Sequence, residues 1–335
     1  MFSITYFLRK RRKGANFSVE QIFNDLAQRF NSTYQVTQRV VPFVSSGVFK
    51  RFANIISAAM NQGAINHVTG DINYVAILLQ KKKTISTILD LGILHRTKGL
   101  KRRILLDVWF KWPVHRSKLV TVISEATKQD LLKNVTCNPD KIRVIYVPIS
   151  KSFKRLDKPF NRGCPTILQI GGAPNKNLKG LIAAVKGVDC KLLIVGKISE
   201  HNLELLHKSK INFENKVAIP FEEVITCYES ADLLFFASTF EGFGMPILEA
   251  QAVGRPVVTS NLLSMPEVGG AAALYVDPYK VSEIKTAIQK LIEDEKLRKE
   301  LVMKGFENIK RFDSEKIALE YEVLYQDIIS HNEQV

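Results

Sequence analysis

What the 335-residue chain has little of narrows its class. It carries only four cysteines, Cys137, Cys164, Cys190 and Cys227, and none form a CxxC pair. Neither a metal ribbon nor a disulfide framework is expected, and a reducing cytoplasm is the simpler setting. No apolar run approaches the ~20 residues that span a bilayer. The opening MFSITYFLRKRRKG places its basic cluster after a short apolar run. A secretory leader has the opposite order, so a strand and a loop are expected there. There is no internal repeat and no low-complexity tract. The GxxxxGK[ST] spacing of a Walker loop and the GxGxxG of a dinucleotide fold are both missing.

Acidic residues are scarce in the first half. Residues 1–158 carry 28 Lys and Arg against 9 Asp and Glu, a net +19, whereas residues 159–335 carry 20 against 24, a net −4. A basic half suits an anionic lipid surface, a phosphate-bearing acceptor or nucleic acid, and a merely lysine-rich surface is the plain alternative.

What is present is an alternation of short apolar runs with helical periodicity. In the first half strands are expected at 4–8, 34–41, 65–68, 85–89, 119–123 and 142–147. Helices are expected at 18–30, 48–60, 72–79, 100–112 and 125–132, the last capped by Ser124. Residues 148–159, bounded by Pro148 and Pro159, read as a linker. Strands at 166–170, 191–195, 216–219, 232–237, 256–259 and 273–276 follow. Helices are expected from 178, at 221–230, and over 281–294, 296–309 and 314–330. Such alternation predicts an α/β protein of two Rossmann-like, doubly wound domains whose ligand sites face a cleft. The expected division is 1–150, 151–312, and a C-terminal helix, 313–335, packing back toward the first domain.

The most informative stretch is residues 238–258, STFEGFGMPILEAQAVGRPVV. A buried strand ends at Ser238, a loop with Gly242 and Gly244 follows, and Pro246 stands where a helix would begin. Free N–H groups at a helix start suit a diphosphate. Carboxylates beside it repel phosphate, so Glu241 and Glu249 are expected to hold sugar hydroxyls. For Glu249 the plain alternative is an acid favouring the helix dipole; for Glu241 it is a solvated loop acid. Two weaker loops join it. Gly171-Gly172-Ala173-Pro174-Asn175-Lys176-Asn177 lets backbone approach a ligand and offers a lysine for phosphate, and Gly196-Lys197 offers the same pairing. At Ile219-Pro220 a base could rest on backbone.

EGFGMPILEA, followed by AVGRPVVTSNLLSMPEVGGAAALYVDP, resembles the signature of family 4 glycosyltransferases with its E-x7-E motif. NKNLKGLI, VGK and SADLLFFAS extend the likeness over about residues 165–290, and HVTGDINYVAILL and VTVISEATKQDLLKN continue it more loosely. The resemblance implies a GT-B fold, an N-terminal acceptor domain, a C-terminal donor domain, retention of anomeric configuration and no essential metal or cofactor. The absence of an Asp-x-Asp motif agrees with that. It implies that Glu241 touches the transferred sugar and that Glu249 binds the ribose. Backbone around Gly242, Phe243, Gly244, Met245, Pro246 and Ile247 would hold sugar and diphosphate. Lys176, with Lys197, would meet phosphate beside Gly171, Gly172, Asn177 and Gly196. Preorganised positive groups of this kind stabilise the departing diphosphate.

Two departures stand out. Many relatives place a histidine before Asp90, where this chain has Leu89. His67 is the expected catalytic substitute, with Asp90, and His95 is a further candidate; either histidine could equally be structural. The basic residue often found after the first glycine of the phosphate loop is also missing. Gly14 and Asn16 are candidates for acceptor contact. Trp109 and Trp112, among Lys101, Arg102, Arg103 and Lys111, fit either a packed helix or one facing a membrane. The expected activity is a hexosyl transfer from a nucleoside diphosphate sugar to a glycan or lipid-linked acceptor, in polysaccharide or glycolipid synthesis. The expected setting is the cytoplasm, with peripheral contact at the inner membrane face through the basic half and no nucleic-acid partner. A nucleotide-sugar epimerase and a non-enzymatic binder of anionic surfaces are the alternatives.

Overall fold

The structure, a computed structural model, describes residues 2–10 and 18–333. Two compact units divide it: Met1–Pro148 with Asp313–Val335, and Ile149–Phe312. The loop carrying Gly14 and Asn16 lies outside the described residues.

The first unit is built on a six-stranded parallel sheet. Its strands are β1 (Phe2–Leu8), β2 (Tyr34–Val40), β3 (Ile65–Val68), β4 (Thr84–Ile88), β5 (Leu119–Val122) and β6 (Ile142–Val144). The order is β2-β1-β3-β4-β5-β6. Strands β3 and β4 are buried at every position, as expected of strands covered on both faces. β1 lies between β2 and β3 with Phe7 opposite Val68, so the sheet changes winding direction between β1 and β3. Their C-terminal ends therefore mark a switch point where a crevice opens. The C-terminal helix Ser314–Glu333 packs on this sheet. Ile317, Tyr321, Leu324, Tyr325 and Ile328 recur at helical spacing and meet Ile4, Tyr6, Phe23, Leu26, Ile65 and Ile85 in one core.

The second unit repeats the plan with the order β12-β11-β10-β7-β8-β9. These strands are β7 (Thr166–Ile170), β8 (Lys191–Val195), β9 (Asn212–Lys216), β10 (Leu233–Phe236), β11 (Val257–Ser260) and β12 (Leu274–Val276). All pairings are parallel. The winding reverses between β7 and β10, so the loops after Ile170 and Phe236 flank the second switch point. Asp232, buried just before β10, accepts from the backbone N–H of Asn161 and Thr166 and from Lys158. It thereby ties the first residues of the unit to its central strands.

Some elements differ from expectation for identifiable reasons. The strand expected at 216–219 is instead β9, five residues of mostly polar type pairing on one side only. The apolar Val217–Ile219 run is excluded from it because Ala218 has φ 55°. Residues 72–79 do not form an α-helix. Gly70 (φ 119°) and Asp71 (φ 56°) turn the chain sharply, and Asn73–Leu78 is a buried 3₁₀ segment. The helix expected at 100–112 is α-helical only over Gly99–Leu106. It widens to π geometry at Asp107–Lys111 and resumes over Trp112–Arg116. Pro113 has no N–H to return to Trp109, and the ladder rearranges just upstream of it. A helix at Glu200–Lys208, capped by Ser199, was not expected.

No helix of the described residues is long and apolar enough to cross a membrane. All four cysteines are free thiols.

Candidate active site

The C-terminal ends of β7 and β10 bring Lys176 and Glu241 together. The loop after β7 leaves through Gly171 at φ 90°, a conformation that favours glycine. At Gly172 a Cβ would stand 2.2 Å from the Lys197 carbonyl oxygen. The Gly171-Gly172 and Gly196-Lys197 loops thus pack backbone on backbone, which explains Gly172 and Gly196 in sterically plain terms. Gln169, inside β7, donates to the carbonyls of Gly171 (3.2 Å) and Lys176 (2.9 Å) and sets the loop's curvature. Asn177 takes a left-handed conformation, φ 56°, and its Nδ2 donates to the Pro278 carbonyl at 2.7 Å. Its side chain anchors the loop rather than pointing out of it.

The loop after β10 is laced to that one. The Thr239 N–H donates to the Asn175 carbonyl at 2.8 Å, and Asn175 Nδ2 donates to the Phe240 carbonyl at 3.0 Å. Lys176 Nζ lies 2.6 Å from Glu241 Oε1 and 4.7 Å from the centre of the Phe236 ring. Both charged side chains are mostly buried, 20% and 16% exposed. Ser264 Oγ donates to the Phe243 carbonyl at 2.7 Å and lies 3.2 Å from that of Glu241, clipping the loop from below. Phe243 and Ile247 are buried. Phe243 packs on Phe312, so these two side chains serve the core and only their backbone faces outward.

The helix after this loop spans Met245–Val253. Pro246 is therefore its second residue, not its first, and Glu249 lies one turn in rather than in the first turn. Glu249 is not a dipole-facing acid. Its Oε2 accepts from the Tyr228 hydroxyl at 2.5 Å. Burial pushes its carboxyl up to about 7, against the smaller opposing effects of Tyr228 and the Lys176 charge. Lys176 thus sits between two carboxylates, one in contact and one acting through space. Among the described residues of this unit, the buried side-chain polar atoms without a hydrogen-bond partner are Gln169 Oε1 and Ser238 Oγ. Both stand at this switch point, as expected where a polar ligand or water completes the network. Lys197 is exposed on the neighbouring loop.

The first unit has its own cavity, of about 480 Å³, at the β1/β3 switch point. Arg9, Arg51, Asp71, Asp90, Arg96 and Trp109 line it. Arg9 pairs with Glu20 and with Asp71. Asp90 Oδ1 accepts from the Gly92 N–H at 2.6 Å. Glu20 Oε2, Ser45 Oγ, Arg51 Nε and Asn73 Oδ1 are buried, unpartnered and all on residues of this wall.

His67 does not reach this cavity's lining. It is fully buried, with Nδ1 2.8 Å from the Tyr325 hydroxyl and Nε2 2.7 Å from Thr87 Oγ1. Tyr6, Phe23 and Tyr321 enclose it, and burial lowers it to about 3. The expectation of a catalytic His67 is corrected: its proton sites are spent on the core and it stays neutral. His95 instead meets Asp130 at the surface, at 2.7 Å. Trp109 packs on Tyr74 and under Arg51, so it belongs to the cavity wall, while Trp112 is half exposed. Tyr228 and Ser264, the partners of the Glu249 and Glu241 loop, were not foreseen. Neither has a sequence signal apart from the fold that brings it there.

Residues 150–307 match the family model described as "Glycosyl transferases group 1", so the second unit carries a glycosyltransferase group 1 domain. The chain is 28% identical over 262 residues to the uncharacterized glycosyltransferase MJ1178 of Methanocaldococcus jannaschii, covering 76% of this chain and 72% of that one. It is 28% identical over 226 residues to the O-antigen chain mannosyltransferase RfbU of Salmonella typhimurium, covering 64% and 62%. The solved structure of Anabaena Alr3699/HepE in complex with UDP and glucose superposes with a TM-score of 0.80 at 15% identity, covering 98% of this chain and all of that one. The two parallel six-stranded sheets with flanking helices are the GT-B fold.

Proposed function

We propose that this chain is a retaining, metal-independent glycosyltransferase that moves a hexose from a nucleoside diphosphate sugar to a glycan or lipid-linked acceptor. The observation that carries the reading is the convergence of Lys176, Glu241 and the half-buried Glu249 at one switch point. In this reading Glu241 holds the hydroxyls of the transferred sugar and Glu249 those of the ribose. Lys176, Lys197 and the start of the Met245–Val253 helix meet the diphosphate. As the anomeric carbon–oxygen bond breaks, negative charge gathers on the leaving diphosphate and positive charge on the sugar. Fixed cations and N–H groups facing the phosphate lower that barrier. The basic cavity of the first unit, with Asp90 on its wall, is the candidate acceptor site. Four unpartnered polar atoms there suit hydroxyls, and Arg51 and Arg96 suit a phosphate. The O-antigen chain mannosyltransferase role named for one relative supports surface-glycan synthesis; the proposed setting is the cytoplasm, at the inner membrane face.

A thermal-shift screen of the intact chain against UDP, GDP, dTDP and CMP sugars tests the donor clause. A specific ligand at 100 times its Kd adds about 2.7 kcal/mol of apparent stability. One base and sugar should stand out, and a Glu249→Ala variant should lose that response. No shift with any of them contradicts the reading. Isomerisation of a donor incubated without acceptor would favour an epimerase instead.

A further inference from the structure

We propose that the helix Val48–Met60 is an in-plane anchor that seats the first unit on an anionic lipid bilayer. This deepens the membrane clause of the preceding reading by naming the element, but it does not depend on sugar transfer. The helix is amphipathic in the inverted sense. Its inward positions include Asn54, which accepts from the Phe43 N–H and donates to the Phe43 carbonyl and Tyr74 hydroxyl. Its outward positions carry Phe49, Phe52, Ile56 and Met60, exposed by 91%, 59%, 39% and 80%. At 100° per residue these four fall within about 80° of arc, one continuous apolar stripe. Val48, 77% exposed, extends it at the start, and Phe43 and Val40 lie exposed on the approach. A soluble helix normally turns such residues inward, and a contiguous exposed patch of this kind marks an interaction surface.

Charge selects the occupant. No Asp or Glu occurs between Asp25 and Asp71, while Arg39, Lys50 and Arg51 do. Lys10 Nζ donates to the Pro42 carbonyl at 2.8 Å, so this cation is held against the approach to the helix. A large apolar face set in an acid-free, basic surround is what an anionic interface binds: side chains enter the acyl boundary while cations meet headgroups. The earlier candidate, Trp109, is spent on the cavity wall and cannot serve. Arg51, on the same helix, lines the cavity, so docking would bring that cavity beside the lipid surface.

The test is flotation of the intact chain with vesicles of phosphatidylcholine alone or with 30 mol% phosphatidylglycerol, with neither donor nor acceptor present. Wild type should float with the anionic vesicles and bind the neutral ones at least about tenfold less. Phe49→Ser with Phe52→Ser should lower anionic binding by about tenfold at unchanged melting temperature. A Phe49→Trp reporter should be quenched by brominated acyl chains. Equal binding by the serine variant, or an unquenched reporter, would overturn the proposal. So would vesicle-independent self-association abolished by the same serines, which would make the stripe a contact between copies. Failure here leaves the thermal-shift response to sugar nucleotides untouched, so the two readings fail separately.

Discussion

Lys176 and Glu241 stand 65 positions apart in sequence, yet their charged atoms lie 2.6 Å from each other where the winding of the second sheet reverses. The pair joins the two loops that leave β7 and β10. Without a ligand each neutralises the other. In the proposed function a nucleoside diphosphate sugar would exchange this contact for two others: phosphate for the ammonium, and sugar hydroxyls for the carboxylate. The pair thus holds two loops in register and stores no uncompensated charge while it waits.

Glu249 should make donor binding depend on pH. Its carboxyl is raised to about 7 by burial, and ribose hydroxyls donate best to the ionised form. Affinity should rise with pH and level off above 7, falling about tenfold from plateau to pH 6 if only the carboxylate binds. Calorimetric titration across pH 5.5–8.5 checks this, and Glu249→Gln should flatten the profile. The free protein should show the opposite trend in stability. An acid raised on folding favours the native state at low pH, and this contribution is lost as pH rises from the ordinary carboxyl range through 7.

His67 should behave as a core residue. Its depressed value means that acid protonates the unfolded chain first, so its contribution to stability is present above pH 6.5 and is lost as pH falls toward 3. His67→Ala should cost about 2–4 kcal/mol, through a cavity and the loss of one hydrogen bond each from the Tyr325 and Thr87 hydroxyls, which keep Tyr6 and Thr121 as partners. Turnover per folded molecule should stay within about twofold. Denaturant melts beside initial rates separate the two effects; a hundredfold fall in rate at unchanged stability would restore a chemical role.

Gly172→Ala should be destabilising by about 1–3 kcal/mol, because its Cβ would overlap the backbone carbonyl of Lys197. Gly187→Ala offers a contrast. No atom lies within 4 Å of its Cβ position, and only its positive φ of 78° opposes the change. Thermal denaturation of both variants measures the difference between a steric clash and backbone strain.

Much of this was legible in the sequence. Strands whose apolar runs are covered on both faces, such as β3 and β10, were read nearly to the residue, and so were the helices Val48–Met60 and Phe221–Ser230. What escaped had no local signature. β9 is a polar edge strand stabilised by its neighbour alone. The π turn at Asp107–Lys111 answers a proline downstream. Tyr228 and Ser264 gain their roles only because folding sets them against Glu249 and the Glu241 loop. His67 misled because a histidine at a strand end has the same appearance in sequence whether it faces solvent or, as here, the aromatic side of a C-terminal helix. The exposure of Phe49 and Phe52 was equally invisible: helical spacing reports a stripe but not the side on which it lies.

The most direct measurement is transfer of radiolabelled sugar from the donor selected by thermal shift, comparing wild type with Glu241→Ala. The variant should lose at least about 1000-fold in rate while retaining the nucleotide-induced thermal shift and within about 1–3 kcal/mol of the wild-type stability. Wild-type transfer by Glu241→Ala would contradict the assignment of this site.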